Sequence, residues 1–520
     1  MKTLNSRKSD ISTKLPKRPN KRNNVAAFFA GRGGTIFFLI LLIGAAVAIS
    51  FLVMMRESLR LDEAQSIWQT SHSLSRTLEI VAQDVHMPLY HILLHYWMVV
   101  FGSGVEAVRS MSLIFFLASI PVLYLLARTL LSRNWSLVLI GLFVLSPFMS
   151  WYGSETRMYT LLTFFALLSQ YFFTRILQGK QGWGGYAITA ILGAFSHYFF
   201  FFTLAAQGIY YLVNRNKFAP GTFKRLVLVA IGIIVAISPW IYYFISQGAA
   251  NNTRPQLPVP STVDFFNVFS QFFFGFQTDA INTIILSSWP LLVIVAFFTV
   301  KRRMKIDKIV MYMLTAGLLP IALAFAVSFV ITPFFLGRYM MPAVAPLYIV
   351  AVWLISQYSK KTAAVIIGLW VVTVSSMFIL QMTSTMNPMR EDFKEAASYI
   401  EKNADISDAI VLTSPFTVYP FEYYYDGHNQ IRTLPLWNRQ DEGGIPPFSS
   451  EKLSDEVEQL KKGHDHIYIL ASQDQGYEEE VLTYFRNRFE LTHKEQYSED
   501  MTLYVYKVGY KPRPFIGANN

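Results

Sequence analysis

The 520-residue chain has no cysteine and few charged residues, and each shortage excludes classes of protein. Without cysteine there are no structural disulfides, no Cys-ligated zinc or iron–sulfur centres and no thiol catalysis. Charged residues make up 15% of the chain, whereas soluble globular domains have about 25%. Hydrophobic residues make up 53%, and the mean hydropathy is +0.33. The composition therefore excludes an ordinary cytosolic enzyme.

The net charge of +11 is unevenly distributed along the chain. Residues 1–34 contain nine Lys/Arg and one acid, which predicts a disordered basic arm. Residues 35–382 consist of repeated apolar runs, and residues 388–513 are soluble-like, with 14 Lys/Arg and 23 Asp/Glu. The sequence thus predicts a basic arm, a membrane domain and a small polar domain.

The apolar runs predict about eleven transmembrane helices, since a helix needs about 20 residues to cross the hydrocarbon core. The predicted spans are 35–55, 107–126, 134–150, 158–175, 184–196, 198–213, 226–246, 282–300, 309–330, 340–357 and 362–381.

Lys/Arg bias in the loops predicts the orientation. Alternate loops hold 24 basic residues against two acids, while the intervening loops hold seven against nine. The N-terminus is therefore predicted to be cytoplasmic, and an odd number of spans puts the C-terminal domain outside. The basic excess then faces anionic membrane lipids, and we exclude nucleic acid as a partner.

Residues 184–213 are compatible with one kinked helix or with a hairpin of two short helices. Basic clusters flank the segment on both sides, and an even number of crossings keeps both on the same face. We therefore expect a hairpin with its tip at Phe195-Ser196-His197-Tyr198, near the outer face.

The first outer loop, 56–106, carries two acidic signals. Asp62 and Glu63 are either a helix N-cap with a first-turn acid or a carboxylate base facing the membrane surface. Asp84 and His86 are either turn residues or two ligands of a divalent metal ion. Residues 88–101 are apolar but too short to span, which predicts a juxtamembrane helix with interfacial histidines at 91 and 95.

Other outer loops add further polar residues. Glu155 and Arg157 form a local ion pair or part of a site. Arg338 either extends to the interface or binds phosphate, for which a guanidinium is suited. His197 is a buried contact, a ligand or a proton carrier. The gathering of carboxylates, histidines and arginines on one face suits a phosphate-bearing lipid headgroup.

Four segments carry a family resemblance: LDEAQSIW, DVHMPLYHILLHYW, SETRMYTLL and GRYMMPAVAP. They resemble the acidic, Asp-x-His, Glu-x-Arg-x-Tyr and Arg-Tyr-x-x-Pro segments of the bacterial protein O-mannosyltransferase/ArnT-like glycosyltransferases, family 39 relatives within the GT-C superfamily. SHYFFFF and NPMREDFKEAASYI are also similar to family segments. The resemblance spans roughly 30–400. Met87 departs from the pattern, because the family usually has proline there.

The resemblance implies an enzyme of GT-C fold that moves a sugar, with inversion, from a polyprenyl-phosphate donor to an acceptor at the outer face of a bacterial inner membrane. Asp62 takes the position of the catalytic base, with Glu63 beside it, and Asp84 and Glu155 shape the site. The implied donor-phosphate residues are Arg157, Tyr159, His197 and Arg338. Asp84 and His86 are the candidate ligands of a divalent metal ion. The resemblance does not decide whether the enzyme depends on a metal, because relatives differ in this.

The acceptor implied by the resemblance is a lipid, a glycan or a protein. The alternative from another class is a transporter or flippase of lipid-linked sugars. A transporter places ionisable residues inside its spans, whereas here they gather in outer loops. The polar domain is predicted to be α/β, with a helix near 391–402, strands at 409–412 and 466–470, a helix near 477–489 and terminal strands near 490–507.

Overall fold

A computed structural model of the chain describes residues 31–509, except 85, 248–256, 304–305, 332, 385–386, 388 and 440–444. Nearly all of the predicted basic arm lies outside these residues. The described chain forms a helical bundle, followed by a small domain with one sheet.

The bundle consists of sixteen α-helices in the described residues. They are α1 Arg32–Arg56, α2 Leu61–Thr70, α3 Leu74–Gln83, α4 Pro88–Phe101, α5 Val105–Ala127, α6 Arg133–Val144, α7 Pro147–Gly153, α8 Tyr159–Leu177, α9 Trp183–Ser196, α10 Phe200–Val213, α11 Thr222–Ser246, α12 Thr262–Phe274, α13 Asp279–Arg303, α14 Lys308–Val327, α15 Val344–Ile355 and α16 Lys360–Thr383.

Seven helical segments in the described chain are long and apolar enough to cross a membrane, and α15 reaches that length with the preceding 3₁₀ turn Gly337–Ala343. Two bent pairs, α6 with α7 (65°) and α12 with α13 (101°), bring the number to nine. The short helices α9 and α10 occupy the two remaining predicted spans. A helix thus lies at every one of the eleven predicted positions.

The chain reverses direction between α9 and α10. The hydroxyl of Tyr186 in α9 donates to Oε1 of Gln207 in α10 at 2.8 Å. In one continuous helix these residues would lie about 30 Å apart at 1.5 Å per residue. The predicted hairpin is therefore confirmed, with His197 at its tip.

Contacts between helix ends define two opposite ends of the bundle. At one end, the side chain of Lys308 donates to the carbonyl of Leu177, and the hydroxyl of Tyr210 donates to the carbonyl of Lys308. We call this the basic end, because the predicted basic clusters lie there. The other end gathers Asp62, Glu155 and Arg338, and we call it the site end.

The C-terminal domain is a five-stranded mixed sheet with helices on both faces, in strand order β2-β1-β3-β5-β4. Its elements are α17 Phe393–Asn403, β1 Ala409–Leu412, α18 Val418–Tyr424, β2 Gln430–Thr433, α19 Ser450–Lys461, β3 His466–Ser472, α20 Glu478–Arg488, β4 Glu490–Ser498 and β5 Met501–Lys507. The predicted helices and strands agree with this order, but α18, β2 and α19 were not predicted. Strand β2 is only four residues long and has one buried residue. Helix α19 does carry a helical signal, with Leu453, Val457 and Leu460 buried at i, i+4 and i+7, and the prediction overlooked it.

This domain packs on the site end of the bundle. The backbone N–H of Leu59 donates to the Tyr424 hydroxyl at 2.7 Å. The rings of Trp68 in α2 and Tyr419 in α18 lie 5.1 Å apart, and the Arg439 guanidinium lies 5.7 Å from the Trp68 ring. The C-terminal domain therefore covers one side of α2, the helix that carries the acidic motif.

Candidate active site

Asp62 lies in the first turn of α2 and faces arginines from two distant parts of the chain. Its Oδ2 lies 3.2 Å from Nη1 of Arg338, and the two side chains are 23% and 24% exposed. Burial alone would raise the pKa of the Asp62 carboxyl, but Arg157 and Arg338 hold it well below its usual range. Asp62 is therefore an ionised and partly accessible carboxylate at neutral pH.

Arg157 does not pair with Glu155, so the predicted local ion pair is wrong. Its Nη1 instead donates to the backbone carbonyl of Asp62 at 3.2 Å and to the Ser66 hydroxyl at 2.9 Å. Arg157 is 5% exposed. Its guanidinium thus fixes the first turn of α2 and adds positive charge beside Asp62.

Glu155 pairs with Arg60, which the sequence analysis did not assign to the site. Nη1 of Arg60 lies 3.3 Å from Oε1 of Glu155, and Nη2 of Arg60 lies 3.4 Å from Oε1 of Glu391. Glu155 is only 3% exposed. Burial raises the pKa of its carboxyl to about 7, because Arg60 offsets the cost of desolvation only in part.

Glu391 joins the site from the start of the C-terminal domain. Its carboxylate accepts from the backbone N–H of Leu61 at 2.8 Å and from Nε2 of Gln473 at 3.2 Å. The carbonyl of Glu391 also accepts from the Ser58 hydroxyl. This residue links the C-terminal domain to the start of α2, about 330 positions earlier in the sequence.

Glu63 is fully engaged inside the protein. Arg109 donates to both carboxylate oxygens, from Nε at 2.9 Å and from Nη2 at 2.7 Å. The backbone N–H groups of Thr156 and Arg60 donate to it at 2.8 and 3.1 Å. The first-turn acid interpretation thus fits Glu63, which ties α2 to α5 and to the loop before α8. The N-cap of α2 is Arg60, so the interpretation of Asp62 as the N-cap is wrong. That Glu63 supports Asp62 in catalysis stays a prediction. Glu63 would do so by holding the first turn of α2 in position.

Asp84 and His86 lie together, with Oδ2 of Asp84 3.5 Å from Nε2 of His86. The same carboxylate oxygen accepts from the amides of Gln65 at 3.1 Å and Gln69 at 2.6 Å. Within the described chain, no three His, Cys, Asp or Glu side chains come together as metal ligands. Two side chains are fewer than the three or four protein ligands of a zinc site, and a metal ion at Asp84 and His86 stays a prediction.

His91 is fully buried in α4, where its ring stacks on that of His86 at 5.5 Å. The prediction that it is an interfacial residue is wrong, because α4 packs against α5 and α9 rather than lying free on the membrane. His95 is half-buried, and its Nδ1 lies 3.0 Å from the carbonyl of Thr70.

Aromatic rings form one wall of the site. Tyr159 and His197 have ring centroids 6.2 Å apart, and each lies beside Tyr339, at 6.2 and 5.4 Å. Nδ1 of His197 accepts from the backbone N–H of Phe199 at 3.1 Å, so this nitrogen caps the hairpin tip. The predicted buried contact therefore describes His197 well.

Several buried polar atoms around Asp62 have no hydrogen-bond partner among the described residues. They are Nε of Arg60, Arg157 and Arg338, Oε2 of Glu155 and Oδ2 of Asp62. Buried polar groups in proteins are nearly always satisfied. These unsatisfied donors and acceptors leave hydrogen-bonding capacity for a polar ligand.

Arg60, Arg109 and Glu391 are the site residues that sequence reasoning missed. Arg60 and Arg109 are two of only seven basic residues in the loops predicted to lie outside, and that scarcity was the available signal. Nothing in the local sequence around Glu391 indicates a contact with α2, because that contact depends on how the two domains pack.

The fold and the site define a multi-pass membrane protein with a cluster of charged residues at one end of its helical bundle. Residues 85–243 match the family of dolichyl-phosphate-mannose-protein mannosyltransferases. This segment includes Glu155, Arg157 and His197, whereas Asp62 and Arg338 lie outside it. Comparison with curated protein sequences finds no match.

The solved structures of one protein, in two states, show the same fold. ArnT from Cupriavidus metallidurans bound to undecaprenyl phosphate has a TM-score of 0.55 and 13% identity, and the apo state has 0.55 and 12%. Each match covers 91% of this chain and 98% of ArnT. The apo oligosaccharyltransferase of Archaeoglobus fulgidus has a TM-score of 0.49 and 12% identity, over 86% of this chain and 70% of that one. Over residues 85–243 the chain is thus similar to a family of mannosyltransferases, and its fold is similar to that of ArnT.

Proposed function

We propose that the chain is an inverting glycosyltransferase that moves a sugar from a polyprenyl-phosphate donor to an acceptor hydroxyl at the outer face of the membrane. The observation that carries this proposal is the convergence of Arg60, Arg157 and Arg338 around the accessible carboxylate of Asp62. A phosphate-linked donor needs cations at its leaving group, and a hydroxyl acceptor needs a base.

The reaction has one bond formed and one broken. The acceptor oxygen attacks the anomeric carbon while Asp62 accepts the hydroxyl proton. The bond from the anomeric carbon to the phosphate oxygen breaks, and its electron pair stays on the lipid phosphate. One base and one attack give inversion, whereas retention through a covalent intermediate requires a second carboxylate as nucleophile.

Arg338 connects the two halves of this scheme. Before the donor binds, Arg338 neutralises Asp62 across 3.2 Å and keeps the pKa of that carboxyl low. A donor phosphate competes for the same guanidinium, since charged acceptors make the strongest hydrogen bonds to arginine. As Arg338 turns to the phosphate, Asp62 regains basicity, so the base becomes active when the donor is in place.

Glu155 adjusts the charge of the site rather than touching the acceptor. It is nearly inaccessible, and the pKa of its carboxyl, about 7, leaves it partly protonated at neutral pH. A protonated Glu155 leaves Arg60 paired with Glu391 alone. The site then carries one negative charge fewer, which favours a phosphate beside it.

The carrier chain requires an apolar groove next to the charged cluster. A groove of about 440 Å³ lies beside the hairpin tip. Its lining includes Pro88, Phe195, Trp240 and Tyr243, which come from α4, α9 and α11. Its apolar walls suit a polyprenyl tail, and the C-terminal domain packed against α2 is placed to take part in acceptor binding.

The decisive experiment supplies radiolabelled undecaprenyl-phosphate sugars to the purified full chain with membrane or cell-envelope acceptors. Asp62→Asn is expected to lower transfer at least 100-fold while the unfolding temperature stays near that of the wild type. Asp279→Asn, an exposed acid at the same end of the bundle, is the matched control and should transfer normally.

Transfer by Asp62→Asn at the wild-type rate would show that the assigned base is wrong. The transporter alternative makes a separate prediction for reconstituted vesicles. There the labelled lipid would cross the bilayer intact, with no label in any acceptor.

A further inference from the structure

A cavity at the basic end of the bundle, opposite the candidate active site, carries three cationic side chains. It has a volume of about 350 Å³ and lies between the C-terminal ends of α5 and α8. Arg128, Arg175 and Lys180 line it, together with Tyr171 and Leu125. We call it the basic cavity.

We propose that the basic cavity binds the phosphate group of an anionic ligand, with an anionic phospholipid headgroup of the facing leaflet as the expected source. This inference is independent of the proposed sugar transfer, because it uses no residue of that site.

The first argument is charge. The chain has no Asp or Glu between Glu155 and Asp264. Asp307, an acid at this end, caps α14 by accepting from the backbone N–H of Lys308. In the described part of the chain, the structure pairs none of the three cavity cations with a carboxylate.

The negative C-terminal ends of the two helix dipoles balance only part of this positive charge. Arg128 follows the last residue of α5, and Arg175 lies in the last turn of α8, so both complement helix C-termini. Two helix C-termini carry roughly −0.5 charge each. Three cations exceed the charge of the two helix ends by about two. This surplus equals the charge of a phosphate monoester dianion and is larger than that of a diester.

The second argument is hydrogen-bonding capacity. Nε of Arg175 donates to the carbonyl of Gln181 at 2.9 Å, and Nη1 donates to the Tyr171 hydroxyl at 3.3 Å. The guanidinium also lies 5.8 Å from the Tyr171 ring. These contacts hold Arg175 in place and leave three of its five N–H donors for a ligand.

Arg128 uses one donor, from Nη1 to the carbonyl of Leu131, and Lys180 is exposed with no hydrogen bond of its ammonium group to the described residues. The cavity therefore presents free donors on two arginines and one lysine. Exposed Leu125 in the lining borders the apolar surface of α5, so a headgroup in the cavity keeps its acyl chains beside that helix.

The test uses the delipidated full chain in a neutral detergent, with native mass spectrometry to follow dioleoylphosphatidylglycerol binding. Lys180→Gln removes a charge without breaking a hydrogen bond and is expected to weaken binding about fivefold. Arg128→Gln with Lys180→Gln should weaken it about 25-fold. The matched control, Arg215→Gln with Lys217→Gln, removes two exposed charges at the same end outside the cavity and should change binding less than twofold.

Competition distinguishes the two sources of phosphate. If inorganic phosphate displaces phosphatidylglycerol, the cavity recognises the phosphate group itself. If it does not, while the cavity variants still lose lipid, the lipid headgroup with its chains is the ligand. Absence of saturable phosphatidylglycerol binding to the wild type would overturn the proposal, and so would an equal loss in the control pair.

Discussion

The two ends of the helical bundle use arginine in opposite ways. At the site end, Arg60, Arg109 and Arg338 each contact a carboxylate, and Arg109 is almost fully buried with Glu63. At the basic end, Arg128 and Arg175 contact only neutral groups. The same residue type therefore builds a buried, charge-balanced network at one end and an uncompensated positive surface at the other.

The difference follows from where the acids lie. Nine acids stand in the loops predicted at the site end, against two in the basic arm and clusters. A buried arginine needs a charged partner, because desolvation is costly, whereas an exposed arginine at the membrane surface is stabilised by water and anionic lipid. The paired charges at the site end hold their side chains in fixed positions, which a catalysed reaction requires.

The largest expected effect comes from breaking the buried pair of the site end. Arg109→Gln leaves the buried carboxylate of Glu63 without its charged partner, which costs about 3–5 kcal/mol. Unfolding of the full chain in detergent measures it. Adding Glu63→Gln should recover part of the lost stability. If Arg109→Gln alone cost less than about 1 kcal/mol, the buried arginine of the site end would matter no more to stability than an exposed arginine of the basic end.

Arg338→Gln is expected to lower the transfer rate about 100- to 1,000-fold, since it removes a donor that stabilises charge on the leaving phosphate. Stability should change little, because both partners are partly exposed. Initial rates with labelled donor measure the effect. Arg390→Gln, which breaks an arginine–aspartate pair outside the cluster, serves as the control, and equal rate losses in both variants would contradict the assignment.

Glu155 predicts a pH effect confined to the site end. Its folded pKa of about 7 lies above the usual value of 4.5 for a glutamate, so between these values the folded state holds a proton that the unfolded state has lost. Wild-type stability should therefore fall as pH rises from 4.5 to 7, by up to about 1.4 kcal/mol per pH unit from this group.

Glu155→Gln should flatten that dependence, which unfolding temperatures at pH 5, 6, 7 and 8 would show. Glu79→Gln, which removes an exposed acid, should leave it intact. A difference between wild type and Glu155→Gln that does not vary with pH would contradict the raised pKa.

The smallest effect is expected at the basic end. Arg225 is exposed, and its guanidinium lies 5.6 Å from the Trp183 ring. Arg225→Gln should cost no more than about 1 kcal/mol, in the same unfolding measurement as Arg109→Gln. A loss as large as that of Arg109→Gln would mean that the two ends do not differ in how they use arginine.

The helical positions were predictable because long apolar runs have few alternatives in a membrane. The hairpin at 184–213 was predictable too, since the basic residues on its flanks require the same side. Strands β1 and β3 were found because their buried residues form continuous apolar runs. Strand β2 was missed because it is only four residues long and just one of them, Thr433, is buried.

The candidate site was predictable in part. Scarcity of charge singled out Asp62, Glu155, Arg157 and Arg338, and all four lie in one cluster at the site end. Their pairing was not predictable, because Glu155 contacts Arg60 and not its neighbour Arg157. His91 was misjudged because an apolar helix of 14 residues looks the same in sequence whether it lies on a membrane or inside a bundle.

The sequence by itself determined that this is a membrane protein, where its helices lie and which few residues carry charge, because hydrophobic length and charge distribution act locally. Only the tertiary structure decided which charges meet. Glu63 is bound by Arg109, Asp62 by Arg338 and Arg60 by Glu391, across separations that no local pattern encodes. The packing of distant helices, and of the C-terminal domain on α2, buries Glu63 in a structural contact and leaves Asp62 partly accessible.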